Sequence, residues 1–230
     1  MTDYKKPDHW QLKARKEGYP ARSVYKLKEI DEKFGLFKPQ KTTSGASGAL
    51  GSASGKALGG ALRVLDIGAA PGSWSLYTLR KFSQTGKKGF LAAADLLPLS
   101  REFDNDSRNR GLFDGENFFF IQGDVTTEEV RKELESRGPY SVIISDVAPN
   151  TTGNHMIDSA RSLELAEIVI AYTQAALNPG GNLAVKVFQG SGIDDLLKRI
   201  KTLFTSVKSF KPQACRGESV ETYFIGLGKK

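Results

Sequence analysis

The sequence predicts one α/β unit: a doubly wound, mostly parallel seven-stranded sheet whose last strand runs antiparallel. Three observations predict it. Short apolar runs alternate with helix-like stretches along most of the chain, the pattern of a parallel sheet covered by helices. The run Val64, Leu65 and Ile67 leads into the glycine-rich turn from Gly68 to Gly72 and then a helix, the opening unit of a nucleotide-type fold. The last two strands are joined by a loop without a helix, whereas a parallel crossover needs about a dozen residues and usually a helix.

Length and composition set the limits. A chain of 230 residues can bury one sizeable core, and its hydrophobic and charged fractions are those of an ordinary globular protein. No apolar run approaches a membrane span, and the start Met1-Thr-Asp-Tyr-Lys-Lys carries no apolar signal region. The expectation is a cytoplasmic protein without a membrane partner, acting as a monomer. Cys215 is the single cysteine, which excludes an intramolecular disulfide and a cysteine-cluster zinc site; it reads as a small side chain. His9 and His155 are too few for a metal site, so none is expected. The formal charge of +7 suits a polyanionic partner, although many basic proteins bind none.

Residues 1–22 form a basic arm in which Lys5, Lys6, Lys13, Arg15, Lys16 and Arg22 alternate with Tyr4, His9, Trp10 and Tyr19. Cations and flat rings together suit RNA, because cations contact phosphates and rings stack on bases. A solvated tail has the same composition. Ser23 can cap a helix with Val24, Leu27, Ile30 and Phe34 on one side. Lys26 lies roughly 200° around that helix from Val24, away from the apolar stripe, where a lysine is normally solvated. Residues 40–61 are Gly/Ser/Ala-rich without apolar periodicity and read as a flexible insertion. The chain thus divides into an arm and helix over residues 1–39, the insertion over 40–61 and a core over 62–230.

Within the core, Ser73 can cap a helix through Trp74, Leu76, Leu79 and Phe82. Strands follow over 89–95, 118–122, 140–146, 182–188, 207–210 and 221–227. Helices are expected over 127–136, from about 159 to 177, and over 193–204, the long one stopped by Asn178-Pro-Gly-Gly181.

The turn from Gly68 to Gly72 reads G-x-x-x-G. It is neither the G-x-G-x-x-G of a dinucleotide site nor a phosphate loop ending in Gly-Lys-Ser/Thr. Its small residues still let backbone approach a ligand, and Asp66 just before it disfavours an anion. S-adenosylmethionine fits such a site, being a nucleoside with a sulfonium and no phosphate. A tight strand–helix turn in another α/β protein has the same appearance. Asp66, Asp95, Asp124 and Asp146 fall at or just past successive strand ends, which share one edge of a parallel sheet. One aspartate there is an ordinary helix cap; four make a negative edge suited to a cation and ribose hydroxyls. Lys186 stands in the otherwise apolar run from Leu183 to Phe188. Buried there it needs a partner or a route to solvent, which snorkelling would also provide. An antiparallel last strand starts at the same sheet edge, so Glu221 can approach Lys186.

These residues carry a resemblance. The chain is similar to the FtsJ-like (RrmJ-type) ribose 2′-O-methyltransferases. It matches at Arg22-Ser-Val-Tyr-Lys-Leu27, Leu65-Asp-Ile-Gly-Ala-Ala-Pro-Gly-Ser-Trp74, Ala94-Asp-Leu-Leu-Pro98 and Gln122-Gly-Asp124. It matches again at Ser145-Asp-Val-Ala-Pro-Asn150, Val185-Lys-Val-Phe-Gln-Gly190 and Glu221-Thr-Tyr223. The motifs are collinear and cover nearly all of the chain outside residues 40–61. The resemblance implies a Rossmann-like class I methyltransferase fold with a catalytic tetrad of Lys26, Asp146, Lys186 and Glu221. It places S-adenosylmethionine on Gly72, Trp74, Asp95, Asp124 and Asp146. The implied substrate is RNA: a uridine ribose of 23S ribosomal RNA within the large subunit. Ser73 departs from the family, which usually has a second glycine there.

The implied reaction is methyl transfer from a sulfonium to a ribose 2′-OH. Lys186 is the candidate base; if it stays protonated it orients the hydroxyl or stabilises developing charge. Asp146 would orient the lysine and cofactor, and Glu221 the lysine or the hydroxyl. Within the family the alternative is a transfer RNA anticodon-loop enzyme. A catalytically inactive RNA-binding relative is a second rival, opposed by the complete tetrad. An NAD-dependent oxidoreductase is a third, opposed by the broken dinucleotide fingerprint.

Overall fold

The computed structural model describes residues 8–38, 61–86, 88–217 and 219–230. The predicted insertion lies, but for Ala61, outside them. Helices α1 (His9–Lys16) and α2 (Val24–Phe34) precede β1 (Leu62–Ile67), α3 (Ser73–Thr85) and β2 (Gly89–Asp95). Next come β3 (Phe118–Gln122), α4 (Glu128–Ser136), β4 (Tyr140–Ser145) and α5 (His155–Ala176). The chain closes with β5 (Leu177–Phe188), α6 (Ile193–Leu203), β6 (Phe204–Phe210) and β7 (Glu221–Lys229). The seven strands form one sheet in the order β3-β2-β1-β4-β5-β7-β6. Strands β1 to β5 pair in parallel, and β7 inserts antiparallel between β5 and β6. This is the predicted sheet, including its reversed last strand.

Apolar side chains alternate between the two sheet faces, as strand geometry requires. Val64, Val142, Ile144, Ala184, Tyr223 and Ile225 pack under α1, α2 and α3. Leu65, Ile67, Ile143, Val185 and Phe224 pack under α4, α5 and α6. Among the described residues no helix is long and apolar enough to cross a membrane.

The local expectations are corrected in several places. The arm contains a real helix, α1, because the Asp8 carboxylate accepts from Gln11 N at its start. Two of its rings serve the fold: Tyr19 is buried beneath the Arg80 guanidinium, and Trp10 packs on Tyr25. Ser23 and Ser73 do not cap by their side chains. Instead Ser73 Oγ accepts from Ala21 N at 2.9 Å and donates to Ala21 O at 3.1 Å, and Trp74 Nε1 donates to Ser23 O at 2.8 Å. Both residues therefore fasten the N-terminal segment to α3. Helix α5 begins earlier than expected because Asn154 caps it, accepting from Met156 N and Ile157 N. Strand β5 also begins earlier, taking in Asn178-Pro-Gly-Gly181 with a register shift against β4. The β2–β3 connection carries no crossover helix, only one 3-10 turn over Leu112–Asp114.

Candidate active site

The carboxyl ends of the parallel strands open on a cavity of about 420 Å³. Gly68, Ala70, Asp95, Gly123, Asp124 and Asp146 are among its lining residues. The glycine turn is forced by close approach. Gly68 has φ 80°, and a Cβ there would lie 2.6 Å from Val147 Cα in the loop after β4. Asp95 ends β2 and accepts from Ala70 N through Oδ2 and from Leu97 N through Oδ1, both at 2.9 Å. Each oxygen keeps a second lone pair. Asp124 accepts from Thr126 N through Oδ1.

Two expectations about this edge change. Asp66 is the penultimate residue of β1, fully buried, and faces α3, where its Oδ2 accepts from Ser75 Oγ at 2.7 Å. It does not line the cavity, and its Oδ1 has no hydrogen-bond partner among the described residues. Burial pushes its pKa up to about 7, so it adds little to a negative edge. Gly72 and Trp74 also lie outside the cavity lining. The Trp74 indole is buried towards Ser23 and Tyr223, so any ligand contact from these two residues is through backbone at the start of α3.

The four residues of the expected tetrad come together beside this cavity. Lys186 and Tyr223 are opposite each other in the β5–β7 register, as are Phe188 and Glu221. Residues two apart on a strand share a face, so Lys186, Glu221 and Tyr223 all point towards α2. Lys186 Nζ lies 3.0 Å from Asp146 Oδ1 and donates to the Asp146 carbonyl at 2.5 Å. Lys26 Nζ donates to Glu221 Oε2 at 2.8 Å and lies 3.9 Å from Asp146 Oδ1. Tyr223 OH donates to the same Asp146 oxygen at 2.6 Å. Asp146 belongs to both the cavity and the cluster.

Lys26 does leave its helix away from the apolar stripe, but not into water. Its side chain is 12% exposed, because the sheet edge and Glu221 cover it. Burial favours its neutral form, yet Asp146 and Glu221 outweigh this and raise its pKa. Burial would likewise raise Asp146; Lys186, Lys26 and the Tyr223 hydroxyl hold it below the usual carboxylate value. Two members of the cluster were missed from the sequence. Tyr223 could have been found, since it stands two residues from Glu221 on a strand. Cys215 could not: a loop carries it, and it is buried where burial, and next the Glu221 carboxylate, push its thiol up to about 12.

The arrangement joins a small-molecule cavity to a buried cluster of two lysines, two carboxylates, a phenol and a thiol. The family model described as FtsJ-like methyltransferase matches residues 19–229. Two similar proteins are both named ribosomal RNA large subunit methyltransferase E. That of Treponema denticola is 40% identical over 227 residues, covering 99% of this chain and 97% of its own. That of Oleidesulfovibrio alaskensis is 41% identical over 225 residues, covering 97% and 92%. A solved structure from Plasmodium falciparum, described as a ribosomal RNA methyltransferase, shares the fold with a TM-score of 0.67. It is 24% identical and covers 92% of this chain and 98% of that one. With a match of that extent, and near-full-length relatives at this identity, the chain belongs to the FtsJ-like methyltransferase family.

Proposed function

We propose that this protein uses S-adenosylmethionine to methylate a ribose 2′-OH of RNA, at a uridine of 23S ribosomal RNA in the large subunit. The observation that carries the reading is the convergence of Lys26, Asp146, Lys186 and Glu221 beside an aspartate-lined cavity. The names of the relatives favour ribosomal RNA over a transfer RNA anticodon loop. An intact cluster, held by ion pairs, speaks against an inactive RNA-binding relative.

The cavity fits the cofactor. Its volume falls within the range of about 300–1,000 Å³ usual for small-molecule sites. Asp95 keeps lone pairs for ribose hydroxyls, Asp124 Oδ2 makes no hydrogen bond among the described residues, and Gly68, Ala70 and Gly123 leave room beside them. Gly72 and Trp74 would contribute backbone at the helix start. When bound, S-adenosylmethionine supplies a methyl group on a positively charged sulfonium.

The chain's own groups then prepare the acceptor. Lys186 Nζ, anchored by the carboxylate and carbonyl of Asp146, orients the 2′-hydroxyl; only in its neutral form, with its own proton released to solvent, is it the group placed to take the hydroxyl's proton. Lys26 is not the base, because its carboxylate partners hold its proton on. It balances Glu221 and Asp146 and favours negative charge developing on the ribose oxygen. All four side chains are at most 15% exposed, so these fixed dipoles act with little competition from water.

Residues 8–38 act as part of the catalytic unit, since α2 supplies Lys26. The basic arm helps hold RNA, and a cytoplasmic monomer suits a substrate presented in a ribosomal particle. The test is transfer of a tritiated methyl group to large ribosomal subunits from cells lacking the gene, followed by mapping of 2′-O-methyl positions. Label in a base, or none in RNA, would overturn the reading.

A further inference from the structure

A second cavity, of about 580 Å³, lies between α2 and α3 and shares no lining residue with the first. Helical spacing creates it. Tyr25 and Lys28, three apart on α2, face Tyr77, Arg80, Lys81 and Gln84 on α3. Glu17, Tyr19 and Arg108 close its side.

Most of these groups are committed to the fold. Arg80 donates to Glu17 O, Gly18 O and Asn109 Oδ1 and stacks on Tyr19. Lys81 pairs with Asp31, and Arg108 with Asp106. Two are not. Lys28, half-buried, makes no hydrogen bond or ion pair among the described residues. The Tyr25 hydroxyl is buried, in a residue 2% exposed, with no hydrogen-bond partner among the described residues. After burial, the nearby Glu17 carboxylate is what raises the Tyr25 phenol, through its charge and a loose approach to the hydroxyl. A buried hydroxyl without a partner is costly and calls for an explanation.

We propose that this cavity holds one nucleotide of the RNA substrate, flanking the one that is methylated. Lys28 would take its phosphate, the Tyr25 hydroxyl would bond it, and Glu17 would accept from a base or ribose donor. Glu17 excludes a site built for a bare phosphate, because a carboxylate repels one. Position supports RNA over a free nucleotide. Helix α2 sends Lys26 into the candidate active site and Tyr25 and Lys28 into this cavity, and a helix is only about 10–12 Å across. A strand whose ribose reaches Lys186 therefore passes within a few nucleotides of Lys28. Lys13, over the rings of Trp10 and Tyr25, extends the positive surface.

The inference rests on the RNA-methyltransferase reading, and one set of measurements separates the two. Methyl transfer to large ribosomal subunits from cells lacking the gene is measured at varied subunit concentration for wild type, Tyr25→Phe, Lys28→Gln and Lys28→Arg. Binding of large-subunit RNA is measured against salt. KM for the subunits should rise about fivefold or more in Tyr25→Phe and Lys28→Gln and recover in Lys28→Arg. The kcat and S-adenosylmethionine affinity should not change. The salt slope of RNA binding should become shallower by about 0.7 in Lys28→Gln, the value of one single-strand phosphate contact. Tyr25→Phe should be at least as stable as wild type, since it removes only the unpartnered hydroxyl. Unchanged KM and salt slope in a wild type that methylates RNA would overturn the cavity's role alone. A wild type that methylates no RNA would overturn the functional reading, and the salt slope of Lys28→Gln would still decide the cavity.

Discussion

Lys186 and Tyr223, opposite each other across the β5–β7 pair, converge on a single oxygen, Asp146 Oδ1, at 3.0 and 2.6 Å. The antiparallel last strand makes this possible. Reversing β7 brings its first residues to the sheet edge where β4 and β5 end, so one carboxylate can meet groups from both neighbouring segments. Asp146 thereby holds a lysine, a phenol and the cavity wall together.

Lys186→Ala should leave folding and S-adenosylmethionine binding intact and lower methyl transfer by about 10²–10⁴-fold, the usual contribution of general-base catalysis. Lys186→Arg should also be poor, because a guanidinium cannot give up its proton near neutral pH. Single-turnover methyl transfer checks both. An arginine variant with near-wild-type turnover would remove proton abstraction and leave an electrostatic role.

Tyr223→Phe removes one of the groups that stabilise ionised Asp146, so the carboxyl's pKa should rise from its depressed value. An acid with a depressed pKa contributes stability above its unfolded pKa and loses it as pH falls through the folded one. The acid limbs of both activity and stability should therefore move to higher pH in the variant. A pH profile of kcat/KM with an unmoved acid limb would show that the Tyr223 hydroxyl does not tune Asp146.

Asp95→Ala should weaken S-adenosylmethionine by about 1–3 kcal/mol, the range for hydrogen bonds involving a charged group. The same change frees Ala70 N and Leu97 N, so part of the loss reflects a looser glycine turn. Calorimetry on the variant decides; an unchanged affinity would take Asp95 out of the site.

Asp66 should make the protein less stable as pH rises from about 4 to 7. Its folded pKa, about 7, lies above the ordinary 3.8, so over that window the native state binds more protons than the unfolded one. The stabilisation is whole below the unfolded value and gone above the folded one. Asp66→Asn keeps an acceptor for Ser75 and should flatten this slope. Urea unfolding at pH 5 and pH 8 measures it, and an equal slope in the two proteins would show that Asp66 is ionised in the fold.

Sequence alone determined the α/β class, the reversed last strand, the glycine turn and the placing of Asp95, Asp124 and Asp146 at one sheet edge. Those features follow from local rules: a period of two or of 3.6, and a connection without the helix a parallel crossover needs. Sequence also made Lys186 conspicuous, because an ammonium in an apolar strand must be answered by something. The answer was decided only by tertiary structure. Periodicity shows which way Lys26 leaves its helix, but not that Glu221, 195 residues away, waits there. The same holds for Asp66, which local position put on the edge and packing put under α3. It holds for Trp74, whose indole fastens the N-terminal segment and so leaves the cavity. A side chain's direction is set by its own few residues; its burial and its partners are set by whatever remote segment packs over it.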